Sequence, residues 1–164
     1  MAEKYEALIL KLKDVDYDTV SDATVLQVVS ILIRKECHKR DILKLRKKEF
    51  IDMWPLAVDA IERTIDYFRD YYRIPVSKLL PYNGLIVPFA YYFYQAKDKP
   101  TGEARKQLRD FFWRTSLGGR YSSSLEAKIG QDIRRIDLIL EGKSPEYDYA
   151  VDTSARFIEA NGGF

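Results

Sequence analysis

With 164 residues, 46% of them apolar and 32% charged, the chain is long enough to bury one real core and ordinary enough to be globular. A formal net charge of +2 is too small to name a partner, and one cysteine excludes an intrachain disulfide and fits a reducing compartment. One Cys and one His also leave a four-ligand zinc site short of donors, so no metal and no cofactor is expected.

In chain order, residues 1–20 form a charged lead-in with no signal-peptide pattern; its Asp14, Asp16 and Asp18 lack the glycine and closing glutamate of a calcium loop. Residues 21–142 make up a helical domain. Val25, Leu26, Val29, Leu32 and Ile33 recur at three and four, the spacing of one helix face, with Ser21 or Asp22 as N-cap. A basic stretch follows: Arg34, Lys35, Lys39, Arg40, Lys44, Arg46, Lys47 and Lys48, against only Glu36 and Asp41. The next helix carries Phe50, Trp54, Ala57, Val58, Ile61, Ile65, Phe68 and Tyr72. Pro55 implies either a start near Met53 or a kink, and Ile74-Pro75 marks the end.

Leu85 to Tyr94 is apolar on nearly every face, as in a helix surrounded by others, and is about half the roughly 20 residues needed to cross a bilayer. Asp98-Lys99-Pro100 breaks the chain. Thr101 then caps a helix with Leu108, Phe111, Phe112 and Trp113, stopped by Gly118-Gly119. Ser123-Ser124-Leu125-Glu126 reads as a capping box for a helix burying Leu125, Ile129, Ile133, Ile136 and Leu140 up to Gly142. Residues 143–164 form a tail, with a short helix over Ser154 to Phe164; Gly162-Gly163-Phe164 reads as an interrupted chain. No stretch alternates with period two. The expected fold is therefore all-α, a compact bundle of about five to six helices with one central apolar helix.

Reactive constellations are scarce. Cys37 and His38 are adjacent, so on a helix their side chains diverge by about 100°, and the flanking charges place the pair at the surface. The basic stretch from Arg34 to Lys48 fits either a phosphate-contacting patch or a solvated face. Tyr91, Tyr92 and Tyr94 fit stacking surfaces less well than core positions. Arg120 and Tyr121, after Gly118-Gly119 and before a helix start, are candidates for an anion or partner contact, with Arg134 and Arg135 as helpers.

Three ordered segments carry a resemblance: Leu80-Pro81-Tyr82-Asn83 before the apolar run, Phe112-Trp113, and Arg120-Tyr121-Ser122 before the last helix. Over roughly Phe50 to Leu140 the chain resembles the family called domain of unknown function 262, the group that includes GmrS/GmrD-type modification-dependent restriction endonucleases. The resemblance implies a ParB/sulfiredoxin-like N-terminal part with an Asp-Gly-Gln-Gln-Arg motif. That motif is absent, and the single histidine, His38, cannot supply a His-Asn-His nuclease. What the resemblance implies here is a non-catalytic helical scaffold of a prokaryotic, cytoplasmic nuclease-like protein, partnered by a catalytic domain outside this chain. The other readings are a protein-interaction domain, oligomeric through exposed apolar surface, and a salt-sensitive DNA-binding helical domain.

Overall fold

The computed structural model describes residues 2–149 and 151. Seven α-helices follow one another: α1 Ala2–Lys13, α2 Asp22–Arg34, α3 Lys39–Leu43, α4 Lys47–Asp70, α5 Ile86–Gln95, α6 Gly102–Leu117 and α7 Leu125–Leu140. Short 3-10 turns cover Ser77–Leu79, Asn83–Leu85 and Arg120–Ser122, and no strand occurs among the described residues. The fold is the all-α bundle expected, with more helices than expected because α1 and the five-residue α3 are additional. Within the segment read as a lead-in, α1 buries Leu8 and Leu12.

The central helix is α5. It packs against α4, α2 and α7, and eight of its ten residues, Ile86 to Phe93, are buried. Pro88 sits in its first turn, where a missing N–H leaves no hydrogen bond unmade. At the other end, the Arg63 guanidinium of α4 donates to the carbonyls of Phe93 (2.5 Å), Ala96 (2.9 Å) and Lys97 (2.8 Å). Those carbonyls have no partner within the helix, and a cation there also complements the helix dipole.

The long helix α4 runs from Lys47 through Pro55 without ending, so it neither begins at Met53 nor stops there. Pro55 is exposed, which keeps its ring off the core. The helix ends at Asp70, before Ile74-Pro75: Arg73 turns left-handed at φ 56°, and Ile74 N–H donates to the Phe68 carbonyl at 3.1 Å. Its inner face joins an aromatic cluster. The Phe89 ring lies 5.0 Å from Phe68, 5.9 Å from Phe111, 6.0 Å from Tyr72 and 6.1 Å from Phe112.

Ser21 is the N-cap of α2, its Oγ accepting from Thr24 N–H at 3.1 Å. Ser21→Ala removes that bond and is expected to cost about 1 kcal/mol in urea denaturation. The helix is buried more widely than one stripe, since Val28, Ile31 and the polar Ser30 and Gln27 are inside as well. The loop before it is tied to the loop after α4: Tyr17 Oη donates to the Ile74 carbonyl (2.8 Å), Ser77 N–H to the Asp16 carbonyl (3.0 Å), and Asn83 Nδ2 to the Thr19 carbonyl (3.2 Å).

At the start of α7 the capping box does not form. Ser124 is the N-cap but lies left-handed at φ 49°, and its side chain makes no capping hydrogen bond. Its backbone turns away from the extended geometry that aims a serine hydroxyl at the N3 amide. The other end is as expected: Gly142, at φ 78°, lets Lys143 N–H reach the Leu138 carbonyl (2.8 Å) and its own N–H reach the Ile139 carbonyl (3.0 Å). Ile139 is fully inside, while Leu125 and Leu140 are half-buried. The short helix read over Ser154 to Phe164 lies outside the described residues.

Candidate functional site

The densest polar chemistry sits where the Arg120–Ser122 turn meets α7. Arg120 is 8% exposed, Tyr121 5%, Asp132 0% and Arg135 9%. The Asp132 carboxylate takes Arg135 Nη1 (2.6 Å) and Arg120 Nη2 (3.2 Å) on Oδ1, and Tyr121 Oη (2.7 Å) and Arg120 Nε (3.2 Å) on Oδ2. Arg120 reaches Gln131 Oε1 at 2.7 Å, and Arg135 reaches the Glu146 carbonyl and Asp148 Oδ1, both at 2.9 Å. Two guanidiniums thus face two carboxylates. A buried charge is tolerated only when paired and hydrogen-bonded in this way.

The segment from Glu146 to Tyr149 closes over this cluster. Arg120 stacks on the Tyr149 ring with 4.5 Å to its centroid, Arg114 on Tyr147 at 4.9 Å, and Arg135 lies 5.4 Å from both rings. Guanidiniums over ring faces are attracted by the ring quadrupole. Burial, then the Asp132 charge, pushes the Tyr121 hydroxyl well above the usual tyrosine range. The hydroxyl is held neutral, as a donor. Outside the strap, a groove of about 440 Å³ runs past Gln131, Arg134, Arg135, Ser144, Glu146 and Asp148.

Arg120 and Tyr121, read as anion-binding candidates, therefore point inward and spend their donors on Asp132. Arg134 is exposed and Arg135 is part of the ion cluster. Asp132 lies outside every motif legible in the sequence. Its position three residues after Ile129 and four before Ile136 puts a carboxylate inside an apolar stripe, which is the available signal for a buried charge.

The basic stretch divides. Lys35 turns back to α7: Nζ is 3.2 Å from Asp137 Oδ2, and Asp137 Oδ1 also accepts from the Tyr91 hydroxyl. Hydrogen bonds with Tyr91 and then Asp137 raise the Lys35 pKa. Arg46 pairs with Glu49 at 2.8 Å. Arg34, Lys39, Arg40, Lys44, Lys47 and Lys48 are exposed and form no ion pair among the described residues. Tyr91 and Tyr92 are buried and Tyr94 half-buried, as core positions require.

Cys37 corrects the surface placement. It is 0% exposed, and its thiol donates to the Glu126 carbonyl of α7 at 3.9 Å. Burial pushes the thiol up to about 12. At about pH 8 a thiol reagent is expected to label Cys37 only through unfolding, since the thiolate is the nucleophile; labelling as fast as a free thiol contradicts the placement. Burial raises Tyr17, Tyr72 and Tyr121 as well. For all four groups the folded pKa exceeds the unfolded one, so their contribution is whole below about pH 9 and falls as pH rises further. Urea midpoints at about pH 8 and pH 11 check this decline.

Among the described residues no three His, Cys, Asp or Glu side chains are grouped to hold a metal ion, and no helix is long and apolar enough to cross a membrane. No protein-family model matches the chain, and neither curated proteins nor solved structures give a match.

Proposed function

We propose that this chain is a non-catalytic helical support module of a nuclease-like restriction or defence protein, the role implied by its resemblance to the domain-of-unknown-function-262 family. The carrying observation is where the three resembling segments go. Around Leu80–Gly84, Gly84 packs so tightly that a Cβ would lie 3.0 Å from Leu125 and 3.3 Å from Tyr121, and the Tyr82 ring faces Tyr121 at 6.4 Å. Phe112 packs on Phe68 and Tyr72 at 5.5 and 4.5 Å. Arg120 and Tyr121 bind Asp132. Packing and hydrogen bonding of this kind support a structural role for these segments.

In this reading the partner is a catalytic domain, and the setting is a prokaryotic cytoplasm. The test is direct: the purified chain, given plasmid DNA or nucleoside triphosphate with magnesium or manganese, is expected to leave both intact. Cleavage or hydrolysis that co-purifies with the chain would overturn the proposal. A second reading, contact with duplex DNA, draws on the exposed Lys39, Arg40, Lys44, Lys47 and Lys48; it requires binding that weakens steeply with salt.

A further inference from the structure

We infer that the groove between α1, α2, α3 and α4 is a docking site for an acidic, amphipathic peptide segment. The groove measures about 400 Å³, and its wall is apolar: Leu26, Ile42, Leu45, Phe50 and Ile51. Lys4 and Lys47 complete the lining, and none of these seven side chains is a carboxylate. By contrast, the groove beside Arg135 includes Glu146 and Asp148, and a groove along α6 includes Glu103 and Asp110. The apolar character continues onto the open surface, with Ile51 45% and Leu43 75% exposed.

Charge selects the occupant. Of the acids next to lining residues, Asp41 Oδ2 accepts from His38 N–H at 3.1 Å and Glu49 holds Arg46, whereas Glu3 and Asp52 are exposed; Lys4, Lys39, Arg40, Lys44, Arg46, Lys47 and Lys48 outnumber them. Lys39, Lys44, Lys47 and Lys48 have no ion-pair partner among the described residues, so an approaching carboxylate meets a net positive field. A groove with an apolar wall and a cationic rim suits a helix that lays its apolar face inward and carries acids at its margin. Duplex DNA would use the rim and leave five apolar side chains without contacts. Apolar anchors give affinity, and the complementary charges give orientation and on-rate. This inference holds whether or not the chain supports a nuclease.

The experiment uses a fluorescent helical peptide of about sixteen residues, with leucines at i, i+3, i+4 and i+7 and glutamates elsewhere. A lysine-for-glutamate version and a short DNA duplex serve as competitors in meaning. Anisotropy should show the acidic peptide binding, and the lysine version binding at least about 10-fold more weakly. Ile51→Asp and Lys47→Glu should each weaken the acidic peptide by about 10-fold or more, whereas Leu79→Asp, an exposed site on the turn after α4, should not change it. Circular dichroism confirms that each variant is folded. The proposal fails if the acidic peptide does not bind, if both peptides bind equally, or if Ile51→Asp leaves binding unchanged. It fails too if the duplex binds more tightly than the acidic peptide, or if light scattering shows a dimer that Ile51→Asp dissociates; the first assigns the face to phosphate and the second to another copy of the chain.

Discussion

Asp132→Asn is expected to lower stability by about 3–5 kcal/mol, the range for removing one partner of a buried ion pair. The carboxylate is fully inside and holds Arg120, Arg135 and Tyr121 at once. Asparagine fills the same space and keeps one acceptor, but it carries no charge, so Arg120 becomes a buried cation with no carboxylate beside it, contacting a neutral amide, Gln131 and a ring face. Arg135 retains Asp148, which is 79% exposed and screened by water. For a domain of this size, about 2–4 °C per kcal/mol translates the loss into a melting temperature lower by roughly 6–20 °C. Calorimetry checks it. The Glu146–Tyr149 strap should loosen in the same variant, visible as faster amide exchange there.

Phe89→Ala should be equally costly, by about 3–5 kcal/mol. Phe89 lies on the central helix and touches rings from α4 and α6 together, so no single neighbour can move in to fill the space. Phe89→Leu, which keeps most of the volume, should cost less than about 1.5 kcal/mol. The contrast between the two variants in chemical denaturation separates a packed aromatic core from a loosely filled one. Similar losses from both would mean that ring geometry, and not volume, holds the cluster.

Local sequence carried much of this architecture. The stripe from Phe50 to Phe68 and the apolar run from Leu85 to Tyr94 are legible because a helix face repeats every 3.6 residues and a surrounded helix is apolar throughout. Gly142 is legible because a left-handed cap favours glycine. The failures are equally physical. Charged neighbours made Cys37 look exposed, yet the bend after α2 lays it against α7, a contact that no window around residue 37 contains. Ser124 stands where a cap belongs, but its backbone is left-handed, a tertiary outcome that the residue types do not specify. Arg120 looked free because its partner lies twelve residues on. The groove beneath the basic stretch was hidden for the same reason: its wall comes from three helices and the connection into α4, so the charges were legible and the apolar surface between them was not.

In a structural support module the Arg120–Asp132–Arg135 cluster exists to hold the fold. A double-mutant cycle over Arg120→Gln and Asp132→Asn, followed by urea denaturation, asks this directly. If the cluster is structural, each single variant loses stability and the pair loses less than the sum, with a coupling of about 1 kcal/mol or more. A functional constellation under strain would respond the other way, since replacing such groups commonly leaves stability unchanged or raises it. An Asp132→Asn protein as stable as the parent, with no coupling to Arg120, would contradict the account.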